Sequence, residues 1–296
     1  MVDYALIAMM ILPILACVVL KVLFTPQSEG VAIAGALVFW KSTAELTPTT
    51  FYISESQVNT WAVMISILGL CLYLTHGLTP RAGLKRQLAA EWIVEQCEKL
   101  VNGNMGGFFS EWAPFIAAIM GLSAFSSLIC LLGLFSPTGD VNVTFGWAIL
   151  VFFLIMYYKF RGGFWNYFIG LFKPIPLFAP MNLIGEISTP VSMAFRHYGN
   201  VLSGSVIAAL IGSALTGLSK SLLSWLPGVL SDMPLLRVGL PAVLSIYFDV
   251  VSGLMQAFIF AILTMLNIAE AVPWDDWNVR RKKRKLPEVN RENPAA

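Results

Sequence analysis

Charge is scarce in this sequence: 12% of its 296 residues are Asp, Glu, Lys or Arg, against 57% hydrophobic, whereas soluble domains carry about 25% charged residues. That scarcity excludes an ordinary soluble domain and implies an integral membrane protein read as one body. Histidine is scarcer still. His76 and His197 stand far apart, and with neither an H-E-x-x-H nor a G-x-S-x-G context a membrane enzyme ranks last among the readings. The G-x-x-x-x-G-K-[ST] phosphate loop is missing too, so no nucleotide site and no cofactor is expected. Cysteines 17, 71, 97 and 130 form no close pair, and are expected as free, packed thiols rather than a metal site or disulfide framework. No internal repeat is found, which weakens an inverted-repeat transporter. A net charge of +2 gives no ground for a nucleic-acid partner. The one dense basic run, RRKKRK at 280–285, follows the last apolar segment and reads as a topology and lipid-headgroup anchor.

What the chain has instead is long charge-free windows, and about 20 apolar residues cross a membrane as a helix. Four such windows are Tyr4 to Leu20, Ser56 to Pro80, Trp112 to Pro137 and Asn142 to Tyr158. Two longer ones follow, Ile187 to Ser219 and Val238 to Ala269, each broken by a single formal charge, Arg196 and Asp249. Their length demands a steep tilt or a course partly within the membrane. The first window lacks a basic leader and a small-x-small cleavage site, so it is read as a retained span. Between the second and third, Leu88, Ala89, Trp92, Ile93, Cys97 and Leu100 fall at helical spacing while Lys85, Arg86, Glu91, Glu95, Glu98 and Lys99 lie elsewhere, which predicts an interfacial amphipathic helix.

The fold class is therefore an all-α polytopic membrane protein with about six membrane helices, the last two a long tilted hairpin. KPIPLFAP at 173–180 is expected as a bent connector because its three prolines remove donors and restrict their neighbours. LPGVLSDMP at 226–234 is expected as the hairpin's turn. Arg81, Lys85, Arg86, Lys159, Arg161, Lys173 and the basic tail sit on one side, which predicts cytoplasmic termini with Lys21 as a mild exception. Three regions are expected: residues 1–55 as an extra span and external loop, 56–272 as the membrane domain, and 273–296 as a basic cytoplasmic tail.

The two long helices carry polar stripes. Ser192, Arg196, Asn200 and, nearly in line, Ser203 share one face, flanked by Gly199 and Gly204, and such glycines let another surface approach closely. Asp249, Ser252 and Gln256 follow at i, i+3 and i+7. A charge at mid-membrane costs from about 2.5 to more than 10 kcal/mol, and such residues usually serve a function. The plainer readings are a buried tie between Arg196 and Asp249, which packing could replace, and interhelical hydrogen bonding for Asn200, Gln256 and the serines. His197, on another face, reads as a packed histidine. A self-contained ion or solute transporter with Arg196 and Asp249 at its substrate site is the alternative function.

The segments MNLIGEISTPVSMAFRHYGNVLSGSVI and YFDVVSGLMQAFIFAILTMLNIAEA, with PTGDVNVTFGWAILVFF before them in the right order, resemble the a subunit of rotary F-type ATP synthases over about residues 56–272. The resemblance implies a non-catalytic stator ion-channel subunit of the F0 sector in a bacterial cell (inner) membrane. It also implies an oligomeric c-subunit ring, a b-subunit peripheral stalk, the F1 catalytic sector indirectly, and lipid as partners. In that family the arginine matching Arg196 faces the ion-carrying carboxylate of each passing ring subunit, between two offset half-channels for protons or sodium ions. Asn200 and Gln256 match polar positions flanking it. Glu186 and Ser192 match the cytoplasmic side, and Asp249 lies where the family commonly places an acidic or histidine group on the outer side. Where many members have such a group nine residues after the arginine, this chain has Ser205, which leaves Asp249 as the outer half-channel's principal ionisable candidate.

Overall fold

The computed structural model describes residues 2–24, 35–42, 51–78, 85–172, 177, 179–223, 243–244 and 246–272. Within them the order is α1 (Val2–Phe24), β1 (Val38–Ser42), β2 (Phe51–Ser54), α2 (Glu55–Thr75), α3 (Lys85–Met105), α4 (Ala113–Leu128), α5 (Val141–Gly162), α6 (Phe164–Leu171), α7 (Ala179–Leu223) and α8 (Gly253–Ala271). Among the described residues six segments are long and apolar enough to cross a membrane: Val2–Phe24, Glu55–Thr75, Phe109–Leu132, Val141–Arg161, Ala179–Leu223 and Ile246–Ala271. This is the all-α polytopic protein expected from the charge-free windows.

Local chemistry sets the ends. α1 outruns its apolar window because Asp3 sits in its first turn and Lys21 in its last, charges that complement the helix dipole. α2 stops at Thr75, before Gly77 with φ 74°, and the third span ends through a 3-10 turn at Gly133, also left-handed; glycine takes that conformation without a Cβ penalty. α7 runs 45 residues, about 68 Å at 1.5 Å per residue, roughly twice the hydrocarbon thickness. Pro180 is tolerated as its second residue, where the missing N–H is an orphan anyway. Most of the 173–180 connector, the 226–234 turn and the 280–285 basic run lie outside the described residues.

Two elements go beyond the expected set. β1 and β2 pair antiparallel with an irregularity between Val38 and Trp40, so part of the region expected as an external loop is a hairpin. Its strands are rich in the β-branched and aromatic residues that suit a pleated surface. α6 is a short helix that starts after Gly163, whose φ is 135°. α3 forms as predicted, but the side chains it buries are Gln87, Cys97, Val101 and Met105. Leu88, Trp92 and Ile93 of the expected apolar face are exposed.

The chain divides into two compact units, one of Met1–Leu70, Leu122–Asp140 and His197–Gln256, the other of Cys71–Gly121, Val141–Arg196 and Ala257–Ala296. In the first, Cys17, Ala62, Val63, Ile129 and Leu134 form the buried cluster. α1 meets α2 where a Cβ on Gly69 would lie 3.0 Å from Met10 N, a close approach of the kind small residues allow between membrane helices. The second unit has the larger core, built around Phe109, Ile116, Val151, Tyr158, Phe260, Met265 and Ile268. Cys17 and Cys97 are buried and Cys130 half-buried, while Cys71 is exposed, a departure from the expectation of packed thiols: its helix turns that face outward.

Candidate functional site

In the first unit the polar residues of α7 and α8 converge. A π-helical turn, Ile246–Ser252, leads into α8 and carries Asp249; such turns break the regular helical register and recur at functional sites. Ser252 Oγ donates to Asn200 Oδ1 at 2.9 Å, and Asn200 Nδ2 reaches the Ser252 carbonyl at 3.5 Å. His197 is buried, its Nε2 hydrogen-bonded with Ser123 Oγ at 3.1 Å. Glycines make this packing possible. A Cβ on Gly204 would lie 3.3 Å from Phe248, and one on Gly253 would lie 2.7 Å from Ser127 Cβ.

Between these side chains is a cavity of about 20 Å³ whose lining includes Ser127, His197, Asn200, Asp249 and Gln256, enough for about one water. Three predicted site residues, Asn200, Asp249 and Gln256, therefore share one small chamber. Ser205 does not line it; it is exposed, and its Oγ donates to the Leu202 carbonyl of its own helix at 2.8 Å. The buried serines of the third span, of which Ser127 lines the chamber and Ser123 bonds its His197, were missed. Their signal was in the sequence, since Ser123, Ser126 and Ser127 fall at i, i+3 and i+4 and are all buried.

The second unit holds a larger, open cleft of about 600 Å³, lined among others by Lys159, Tyr167, Asn182, Glu186, Thr189, Asn267 and Glu270. Here Glu186 is bound on both oxygens. Lys159 Nζ donates to Oε1 at 2.7 Å, and the Tyr167 hydroxyl donates to Oε2. Lys159 Nζ also lies 5.9 Å from the Tyr167 ring centre. Burial foremost, then the hydrogen bond and charge of Glu186, push the Tyr167 phenol well above its ordinary range, so it serves as a neutral donor. Asn267 Nδ2 lies 3.6 Å from Met193 Sδ. Of these lining residues, sequence reading had singled out Glu186 alone for the site.

Arg196 belongs to the same unit. It is exposed on α7, as is Ser192, and among the described residues it has no hydrogen-bond or ion-pair partner. Its neighbour Phe195 packs edge-on against Phe145, ring centres 5.3 Å apart, which anchors that turn of the helix. The second unit therefore offers, in a long apolar helix, a cation without a partner among the described residues, and a cleft with an ion-paired carboxylate; the first offers a water-sized chamber. Such parts suit the movement of a small cation past a fixed charge.

Comparison with known proteins points the same way. The family of ATP synthase A chains matches residues 57–269. The chain is 28% identical over 241 residues to the sodium-ion-specific ATP synthase subunit a of Propionigenium modestum, covering 75% of each protein. It is 31% identical over 224 residues to ATP synthase subunit a 1 of Crocosphaera subtropica, covering 74% of this chain and 87% of that one. With ATP synthase subunit a of Bacillus subtilis it shares 28% identity over 247 residues, 79% of this chain and 97% of the other. The matched segment contains Glu186, Ser192, Arg196, Asn200, Ser205, Asp249 and Gln256, and begins after α1 and the hairpin.

Proposed function

The chain belongs to the ATP synthase A chain family, and from that premise we propose how its residues carry ions. It is the stator ion-channel subunit of the F-type F0 sector, a multi-pass membrane protein of ion transport and ATP synthesis. The self-contained transporter reading has no support beside that membership. We place it in a bacterial cell membrane with both termini cytoplasmic, against a ring of c subunits and a b-subunit stalk, reaching F1 only indirectly. It is a non-catalytic component: F1 makes ATP, and this chain passes protons or sodium ions to and from the ring. Residues 56–272 are the membrane domain, 1–55 an added span with its hairpin, and 273–296 a basic tail.

The observation that carries the mechanism is Arg196, exposed and unpartnered among the described residues in a helix of 45 residues. A ring carboxylate in lipid has its charged form disfavoured and holds its ion; beside a fixed cation it is driven to ionise and let the ion go. Arginine suits this role because its guanidinium stays charged at any working pH, where a desolvated lysine can neutralise. The same charge opposes direct leakage between the half-channels. Asn200, Asp249 and Gln256 serve the outer half-channel through the water-sized chamber, with Ser205 contributing no ionisable group, while Ser192 and Glu186 lie along the cytoplasmic one. The membrane potential then supplies about 2.3 kcal/mol per charge per 100 mV to bias rotation.

The test is Arg196→Ala in the assembled complex, with ATP-driven ion uptake measured in inverted membrane vesicles. Uptake is expected to disappear while the complex still assembles. Uptake at the wild-type rate would remove Arg196 from the mechanism.

A further inference from the structure

Among the described residues, four side chains of the open cleft are titratable: Lys159 from α5, Tyr167 from α6, Glu186 from α7 and Glu270 from α8. The resemblance gives the cytoplasmic role to Glu186, yet its geometry is that of a locked group. Lys159 occupies one carboxylate oxygen and Tyr167 the other, and the side chain is only 16% exposed. To take up and pass a cation it must break an ammonium contact and a phenol hydrogen bond.

Glu270 differs in each respect. It is exposed, and no described residue bonds or pairs with it. It stands one turn along α8 from Asn267, which lines the same cleft. Lys159 counts +1 and Glu186 and Glu270 count −1 each, so the described lining carries −1. Because Lys159 and Glu186 cancel at contact distance, the uncompensated charge among the described lining residues is that of Glu270. A cleft with one sign of charge between low-dielectric walls concentrates counter-ions at its mouth.

We propose that Glu270 is the carboxylate that collects the coupling cation in this cleft, and that Lys159, Glu186 and Tyr167 form a fixed ion-paired wall beside it. The proposal rests on the stator reading above and deepens it by moving cation capture from Glu186 to a residue that the family resemblance leaves without a role. Capture is electrostatic. The cation is held near the free carboxylate and passed inward along the cleft, while Glu186 keeps its two contacts.

The experiment uses the complete complex in inverted vesicles, where ATP-driven uptake draws ions from the bath through the cytoplasmic side. Uptake is titrated with sodium at fixed pH and with protons at fixed sodium, normalised to the amount of assembled chain on immunoblots. Glu270→Gln is expected to raise the half-saturating cation concentration at least threefold with a maximal rate within twofold of wild type, and Glu270→Asp to restore it. Glu186→Gln, which strands Lys159, is expected to lower the rate, and Lys159→Gln added to it to recover most of the loss. A carrier carboxylate would give no such recovery. Half-saturation unchanged in Glu270→Gln, or a double variant no better than Glu186→Gln, overturns the proposal. Arg196→Ala run alongside separates the two failures: if it pumps normally the stator reading falls, and if it is inactive while Glu270→Gln titrates as wild type, only the Glu270 assignment does.

Discussion

Ser252 and Asn200 hold α7 to the π-helical start of α8: the serine hydroxyl donates to the asparagine oxygen at 2.9 Å, and the asparagine amide turns back to the serine carbonyl. Both groups sit in apolar helices, where a lost partner is not replaced by bulk water. Interhelical hydrogen bonds in membranes nonetheless average about 0.6 kcal/mol and reach about 1.7. Asn200→Ala and Ser252→Ala are each expected to destabilise the detergent-solubilised chain by about 0.5 to 2 kcal/mol. The double variant should cost less than the sum, by a coupling of about 0.6 kcal/mol. Titration with a denaturing detergent measures this, and strictly additive losses would show that the contact contributes nothing.

Gly253 is constrained by packing rather than by a polar contact. Its missing Cβ would stand 2.7 Å from Ser127 Cβ, a separation that requires one backbone to move. Gly253→Ala is expected to cost about 1 to 3 kcal/mol, the range for overpacking, and Ser127→Gly in that background to recover most of it. Gly199→Ala is the control, because nothing lies within 4 Å of its Cβ position. In the isolated chain it should be neutral or slightly stabilising through helix propensity. A loss for Gly199→Ala as large as for Gly253→Ala would refute the packing account.

These contacts mark how far the sequence could be read. Six spans were legible because bilayer thickness imposes a minimum apolar length; some ends moved by a few residues where Asp3, Lys21 or Gly133 intervened, while α7 begins at Ala179, well before the expected Ile187 and inside the expected connector. The stripe carrying Arg196 and Asn200 was legible because helical periodicity reports neighbours on one helix. It does not report neighbours between helices. Glu186 was found, but the partners that lock it come from α5 and α6, 27 and 19 residues away, so its immobility was invisible. The π-helical turn has no periodic signature of its own. The hairpin strands, five and four residues long, are too short to stand out beside an apolar span. Ser205 was noted as a departure, but its bond to its own helix is a matter of rotamer.

α3 supplies a chemical prediction outside the membrane spans. Cys97 is buried, and burial pushes its thiol above the ordinary range, while Trp92 on the same helix is largely exposed. Maleimide reacts with the thiolate, so each unit of upward shift removes about a factor of ten in rate at neutral pH. In a chain with the other cysteines changed to serine, Cys97 should label at least tenfold more slowly than a cysteine placed by Trp92→Cys. Its rate should keep rising as pH passes the usual thiol range. Equal labelling of the two positions would contradict the packed face assigned to α3.

The segment before the family match is fastened by Lys21 and Glu55. Glu55 is 2% exposed; its Oε1 accepts Lys21 Nζ at 2.9 Å and the Phe135 N–H at 3.1 Å, and its Oε2 accepts the Leu37 N–H at 3.3 Å. One carboxylate thus ties α1, the hairpin approach and the loop after the third span within the first unit. Its position in the first turn of α2 also suits the helix dipole. Removing the lysine leaves a buried charge with only amide donors, a change that typically costs about 3 to 5 kcal/mol. Lys21 is itself 28% exposed, and water reaching that end places the expected loss for Lys21→Met at about 2 to 3 kcal/mol. Replacing both partners, Lys21→Met with Glu55→Gln, removes the stranded charge and should recover part of that loss. Thermal unfolding of the solubilised chain compares the three. If the single and double variants melt together, the ion pair is not what holds α1 in place.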